Sequence, residues 1–318
     1  MTNPRKLVLL VAAALPLWVG PDRFSVGADV NEGDKPFVAV HRDFARILGL
    51  HVEDRPVSIF PPMAHSSYFG TTVATVREVR SDALIARVDV ETMKVVHAID
   101  LTVTEQSWTG PKEHPSAPMT IVPTRNATDV IAIADQYCKR LGHDLSRGFR
   151  LRLVQFEARY RHWSLAWLRV VGEYPFEESD FSLSIDDKTG KLAVYFNNTS
   201  SRPCQTEIKV GREKAMDVAR DHVLTMAQPA LVRSEPLRMT EVGTCELKVV
   251  YPNYLLSPKV AQMGDEDLRK ARRNPRLVYD IKYEFRYRRA EGKGDLSPRP
   301  PVSIWVDAAT GEVVGGFF

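Results

Sequence analysis

The chain is predicted to be an α+β protein of repeated units, each a single helix packed on an antiparallel sheet. Three observations predict this. A turn of the form Asp-x-x-Thr-Gly stands near the end of the chain at Asp307, Thr310 and Gly311, and again at Asp186, Thr189 and Gly190. A weaker copy keeps Asp89 and Thr92 but has Met93 in place of the glycine. Upstream of each turn lie a stretch with helical spacing and then strands, so one supersecondary order recurs three times.

The turn itself has a physical logic. The Asp carboxylate can accept from the backbone amides that follow it, and glycine supplies the positive φ that closes the hairpin. Around the last copy Ile304 and Val306 alternate with Ser303, Trp305 and Asp307, which predicts a strand with one buried face. The acidic pair Asp186-Asp187 is expected on a solvated hairpin, because Lys188 stands where a calcium ligand would be needed.

From the start of the chain, Arg5 and Lys6 precede an apolar run over residues 7–19. The run is short of the roughly 20 residues that span a bilayer, so residues 1–28 read as a secretory signal peptide cleaved before Asp29. An uncleaved anchor or a chance apolar start is the alternative. Removing Arg5, Lys6, Arg23 and Asp22 lowers the formal charge from +3 to +1, so the basic balance is no argument for nucleic acid. The same near-neutrality predicts binding that depends little on salt.

The first unit is expected over residues 35–102. A helix from Phe37 ends at Gly49, a proline-containing loop follows, and residues 71–79, 84–90 and 94–101 read as strands. Residues 103–123, rich in Pro, Ser and Thr and holding Trp108, read as a linker. The second unit, 124–198, opens on a helix around Ile133 and Ala134 with Thr128 as its cap. Its strands are expected at 149–156 and 163–174, with the hairpin over 181–196; the first of these alternates Arg150 and Arg152 with apolar residues. The third unit, 207–318, has a helix in which Val218 and Ala219 match Ile133 and Ala134. Its clearest strand puts Ile281, Tyr283, Phe285 and Tyr287 on one face. The turns are farther apart here, and residues 257–276 read as an inserted surface helix, acidic at its start and basic at its end.

The helix with Ala-x-x-x-Ala spacing and the closing Val-Asp-x-x-Thr-Gly-x-Val hairpin resemble the PepSY domain. The resemblance implies a small helix on an antiparallel sheet, a cystatin-like arrangement. It implies an exported, envelope or secreted context, and an inhibitory or protein-binding role beside secreted peptidases. It carries over no catalytic residue.

Chemistry-bearing motifs are otherwise absent from the sequence. The eight histidines form no His-Glu-x-x-His and no zinc spacing with cysteine. There is no Gly-x-Ser-x-Gly elbow, no Cys-x-x-Cys and no phosphate-binding glycine loop. Cys138 reads as a small core residue, and Cys204 and Cys245 could pair as a disulfide. The basic runs at 269–273 and 286–289 read as solvated surface. No cofactor and no metal is expected. The expected function is an exported, non-catalytic module that binds a protein or peptide, modulation of a secreted peptidase being one form of it. The alternatives are a scaffolding envelope protein and an enzyme with a site between units.

Overall fold

Hydrophobic periodicity sets the elements. The computed structural model describes residues 31–66, 72–107, 121–199, 202–231, 238–286 and 301–317. The signal segment, Trp108 and Tyr287 lie outside them, as does the side chain of Phe285.

Helix α1 (Lys35–Leu48) has Pro36 in its first turn and ends at Gly49, whose φ of 76° lets its N–H reach the carbonyls of Ala45 and Arg46. It is followed by strands β1 (Ser58–Ile59), β2 (Met63–Ser66), β3 (Thr72–Arg80), β4 (Leu84–Asp89) and β5 (Val95–Asp100). The expected linker does not begin as coil: residues 101–107 form helix α2 (Leu101–Ser107), where Asp100 accepts from the Thr102 amide and hydroxyl.

Helix α3 (Ala127–Arg140) starts two residues earlier than expected. Asn126, not Thr128, is the cap, its Oδ1 accepting from the Asp129 amide at 3.0 Å. Strands β6 (Phe149–Glu157), β7 (His162–Val171), β8 (Tyr174–Asp186) and β9 (Leu192–Asn197) follow. Then come α4 (Arg212–Leu231), β10 (Arg238–Val250), α5 (Asp265–Arg272), β11 (Arg276–Arg286), β12 (Val302–Asp307) and β13 (Val313–Phe317). Sequence reading missed β10, whose Thr, Glu and Lys break an apolar alternation.

The protein is α+β, with one large, mostly antiparallel sheet and few helices. Among the described residues 13 strands join in the order β1-β3-β4-β5-β9-β8-β10-β11-β12-β13, with β2 beside β3 and the β6–β7 hairpin attached to β8 through β7. Two joins cross between segments far apart in sequence. β5 and β9 meet antiparallel, with His97 opposite Phe196 and Ala98 opposite Tyr195. β8 and β10 meet parallel at Phe176 and Val249.

The three turns make matching bonds. The Asp89, Asp186 and Asp307 carbonyls accept from the amides of Met93, Gly190 and Gly311 at 2.9, 2.9 and 2.8 Å. The Asp amides donate in turn to Lys94, Lys191 and Glu312. Each Asp Oδ1 accepts from following amides: Glu91 and Thr92, then Thr189, then Ala309 and Thr310. Met93 adopts the same left-handed conformation as the glycines, φ 54° against 72° and 76°. A side chain in that region costs roughly 1–2 kcal/mol.

The helices bury positions one turn apart: Val130, Ala134 and Cys138 in α3, and Ala215, Ala219 and Val223 in α4. Ile133 and Val218 pack beside them. In α1 the corresponding stripe is Phe37, His41 and Ala45. Phe44 of α1 meets Tyr195 of β9 edge-on with centroids 5.1 Å apart, so α1 and α3 share one core, while β10–β13 and α4 form another.

Two expectations about exposure fail. β12 is buried at every position, Trp305 and Ser303 included, because residues 250–271 fold over the face opposite α4. The inserted helix lies at the surface, with Asp265, Glu266, Asp267 and Lys270 exposed, and its inner face contributes to this cover: Leu268 and Ala271 of α5 pack on the cluster of Val250, Tyr254, Val278, Trp305 and Val314. The Asp186-Asp187 turn is not solvated either. Asp187 is buried and accepts from the amides of Thr124 and Arg125 and from Trp163 Nε1. Its burial alone would raise the carboxyl's pKa, but these bonds outweigh it and hold the pKa below the usual carboxylate range.

Candidate functional site

The last turn of α3 and the loop after it border a half-open surface pocket of about 580 Å³. Gly142, at φ 75°, ends the helix and turns the chain into that loop. Trp167 on β7, Cys138 and Leu145 supply its apolar lining, and Asp135, Lys139, Asp144 and Ser146 its polar part. Asp144 holds the loop by accepting from the Ser146 hydroxyl and amide, which also keeps its carboxyl below the usual pKa range.

His143 reaches the cavity from an aromatic cluster. Its Nε2 lies 2.9 Å from the Tyr195 hydroxyl, its ring is 4.7 Å from that of Phe181, and Phe181 lies 5.7 Å from Trp167. Asn197 Nδ2 donates to the same hydroxyl at 3.1 Å. Burial, assisted by Lys94, lowers the His143 pKa, so the ring is neutral near pH 7. Burial first, and then Asp135, push the Cys138 thiol up to about 12. A protonated thiol beside a neutral, weakly basic imidazole is the opposite of an activated nucleophile pair.

The loop leads directly into β6, and Trp167 stands opposite Leu151 of that strand. β6 pairs only with β7, so its other edge carries no strand among the described residues. Leu151 is 39% exposed and the strand is bulged between Leu151 and Leu153. Two short strands, β1 of two residues and β2 of four, are likewise paired on one side only, with β3; the longer edges differ. β5 and β9 are paired with each other. β13 is closed by residues 253 and 254: Asn253 donates to the Gly316 carbonyl and accepts from its amide, and Tyr254 donates to Val314. A Cβ at Gly315 would lie 2.3 Å from Asn253 Oδ1, so glycine is required there for that closure, and one at Gly316 would lie 1.9 Å from the Ser303 carbonyl of the paired β12.

The residues singled out in the sequence are scattered. Asp89, Asp186, Thr189, Gly190, Asp307, Thr310 and Gly311 form three separate turns and assemble no common site. Cys204 and Cys245 are not joined. Cys204 lies by the Leu277 backbone and Cys245 opposite Ile281 on the same strand. Four strand residues separate those positions by roughly 13 Å, well beyond disulfide reach. Among the described residues no cluster of three His, Cys, Asp or Glu could hold a metal. No described helix is long and apolar enough to cross a membrane. Arg273, from the basic run expected to be solvated, pairs with Glu91 at 3.7 Å. The cavity and the open strand were missed; the alternating Arg150-Leu151-Arg152 marked a strand, but a strand's neighbours are set by other segments.

No family model and no curated protein matches the chain. Two solved structures align along most of its length. The Bacillus megaterium YpeB C-terminal domain does so at 8% identity and TM-score 0.37, covering 92% of this chain and 100% of that one. An uncharacterized protein from Eubacterium rectale does so at 9% identity and TM-score 0.38, covering 89% of this chain and 82% of that one. No residue role is carried over from either.

Proposed function

We propose that the chain is an exported, non-catalytic protein-binding module made of helix-on-sheet units of the PepSY kind, and that it captures an extended segment of a partner along β6. The unit reading is supported by the matching bonds of the three turns and by the matching buried stripes of α3 and α4. The observation that carries the binding reading is the β6 edge, nine residues long and unpaired among the described residues, with an aromatic-lined cavity at its start. A strand added there gains main-chain hydrogen bonds, and a cavity beside it accommodates one side chain. A secreted peptidase, with an extended surface loop, is the partner class favoured by the PepSY resemblance.

The enzyme alternative loses ground because the cavity lies within the second unit and its thiol and imidazole are both in their unreactive forms. The test is to mix the purified chain with peptidases secreted by the same cell. Complex formation, peptidase activity and amide exchange over residues 149–157 are then followed. The expected result is a complex in which those amides are protected. Turnover of a peptide, ester or glycan by the chain alone, abolished by a single substitution at the cavity, would overturn the reading.

A further inference from the structure

The charge around β6 is distributed unlike that of the chain as a whole. Arg147, Arg150, Arg152, Arg159 and Arg161 are all exposed and occupy β6 and its two flanks. Among the described residues Arg147, Arg150, Arg152 and Arg161 form no ion pair within 4 Å, though Arg147 acts electrostatically on Asp144 and Arg152 on Asp180. Carboxylates are few nearby. Asp144 is engaged by Ser146. Glu157, at the end of the strand, has its pKa raised by burial. Asp180 is sunk beneath Arg152, and burial pushes its pKa up to about 6.

An extended strand rises about 3.3 Å per residue, so nine residues laid on β6 would span roughly 30 Å and pass Arg150 and Arg152, with Arg147 before the start of the strand and Arg159 and Arg161 in the turn beyond its end. Arginine is the side chain best matched to carboxylates, which it can bind through two parallel hydrogen bonds. An unpaired edge that is flanked by arginines also repels a second copy of itself, which limits homotypic strand pairing. From the open edge and this one-signed flank we infer that the partner segment is acidic: an extended polypeptide with Asp or Glu on alternate residues, paired to β6. This rests on the edge-binding reading above and adds the chemical class of the ligand. It also reverses the salt expectation drawn from net charge, because the local field and not the total of +1 governs an encounter at this edge.

The test uses fluorescence anisotropy of the full chain with three labelled ten-residue peptides. One alternates Glu with Val, one replaces every Glu by Gln, and one keeps the Glu-Val sequence with every backbone nitrogen methylated. The Glu peptide is expected to bind, and to weaken about tenfold or more between 50 and 300 mM salt. The Gln peptide is expected to bind at least about fivefold more weakly, and Arg150→Gln with Arg152→Gln to bring the Glu peptide down to that level. Both substitutions are at exposed positions, and a thermal melt checks that the fold is kept. Equal binding of Glu and Gln peptides, unaffected by the double variant, overturns the acidic partner but leaves the edge reading standing. Equal binding of the methylated peptide means that the arginines hold any polyanion, and overturns strand pairing. Absence of binding by all three at low salt overturns both.

Discussion

The two places where distant segments of the sheet meet are built on opposite principles. The β5–β9 join is antiparallel and sits on one continuous apolar core, and its polar members are buried neutral histidines. His65 and His97 flank Phe196, with ring centroids 5.8 and 6.1 Å from it. Burial first, then Arg87, lower both histidines, His97 to about 3 with a further contribution from His65. The β8–β10 join is parallel, brief and charged. Lys248 is buried and its ammonium lies 2.7 Å from Glu177 and 2.9 Å from Asp280. Asp280 also accepts from the Ser303 hydroxyl, and the ammonium lies 5.3 Å from the Trp305 ring centroid. Burial alone would lower the Lys248 pKa; Asp280 and Glu177 outweigh it and raise it. Desolvation thus acts on both joins and is answered differently, by staying neutral in one and by pairing in the other. The consequence is that acid should attack one and the loss of a partner charge the other.

The largest effect is expected at the charged join. Asp280→Ala leaves a buried ammonium facing only the half-exposed Glu177, and should cost about 3–5 kcal/mol in a urea titration. Removing the charges together, by Lys248→Met with Asp280→Leu, should recover most of that loss, since buried pairs are often replaceable by apolar residues of similar volume. If the double variant is no better than the single one, the site is held by shape and the comparison breaks down.

Acid should act on the other join. His97 has its folded pKa below its unfolded value, so the stability it contributes is full above about pH 6.5 and is lost as pH falls toward 3. Each pH unit in that window should cost up to about 1.4 kcal/mol for this residue. Urea midpoints measured at pH 7, 6, 5 and 4 should fall progressively, and His97→Gln should flatten the slope. A Lys248-based loss would have the opposite sign, present below the unfolded value near 10.4 and lost only as pH rises through the raised folded pKa. A flat profile between pH 7 and 4 would remove the histidines from the account of this join.

The smallest effect tests the turn that delivers β5 to its partner. Met93→Gly should relieve the left-handed backbone and raise stability by about 0.5 kcal/mol, part of the gain being offset by lost side-chain packing and by a freer unfolded chain. The reverse substitutions, Gly190→Ala and Gly311→Ala, should each lower the melting temperature. An unchanged or lower melting temperature in Met93→Gly would mean that the thioether's packing outweighs the strain.

Much of the fold was legible because its signals are local. The Asp turns, the glycine after α1, the buried stripes of α3 and α4 and the bounds of β3, β4 and β5 all follow from period, cap and turn chemistry within a dozen residues. The position of Cys138 in the core was legible for the same reason. The cap at Asn126 was missed by two residues because Asn and Thr are both good caps and only the backbone course distinguishes them.

By itself the sequence determined what each segment is: a helix with one small-residue face, strands with two-residue alternation, and turns whose carboxylates bind their own backbone. Only the tertiary structure decided what lies against each segment. Trp305 alternates as a solvent-facing residue yet is fully buried, because residues 250–271 return over it from beyond the strand's own pattern. The edges of β5 and β9 are joined to each other, that of β13 is closed by Asn253, and that of β6 stays unpaired among the described residues. Backbone amides at a strand edge are the same in every sequence, so whether an edge is paired, capped or available is a property of its neighbours, and with it the candidate site.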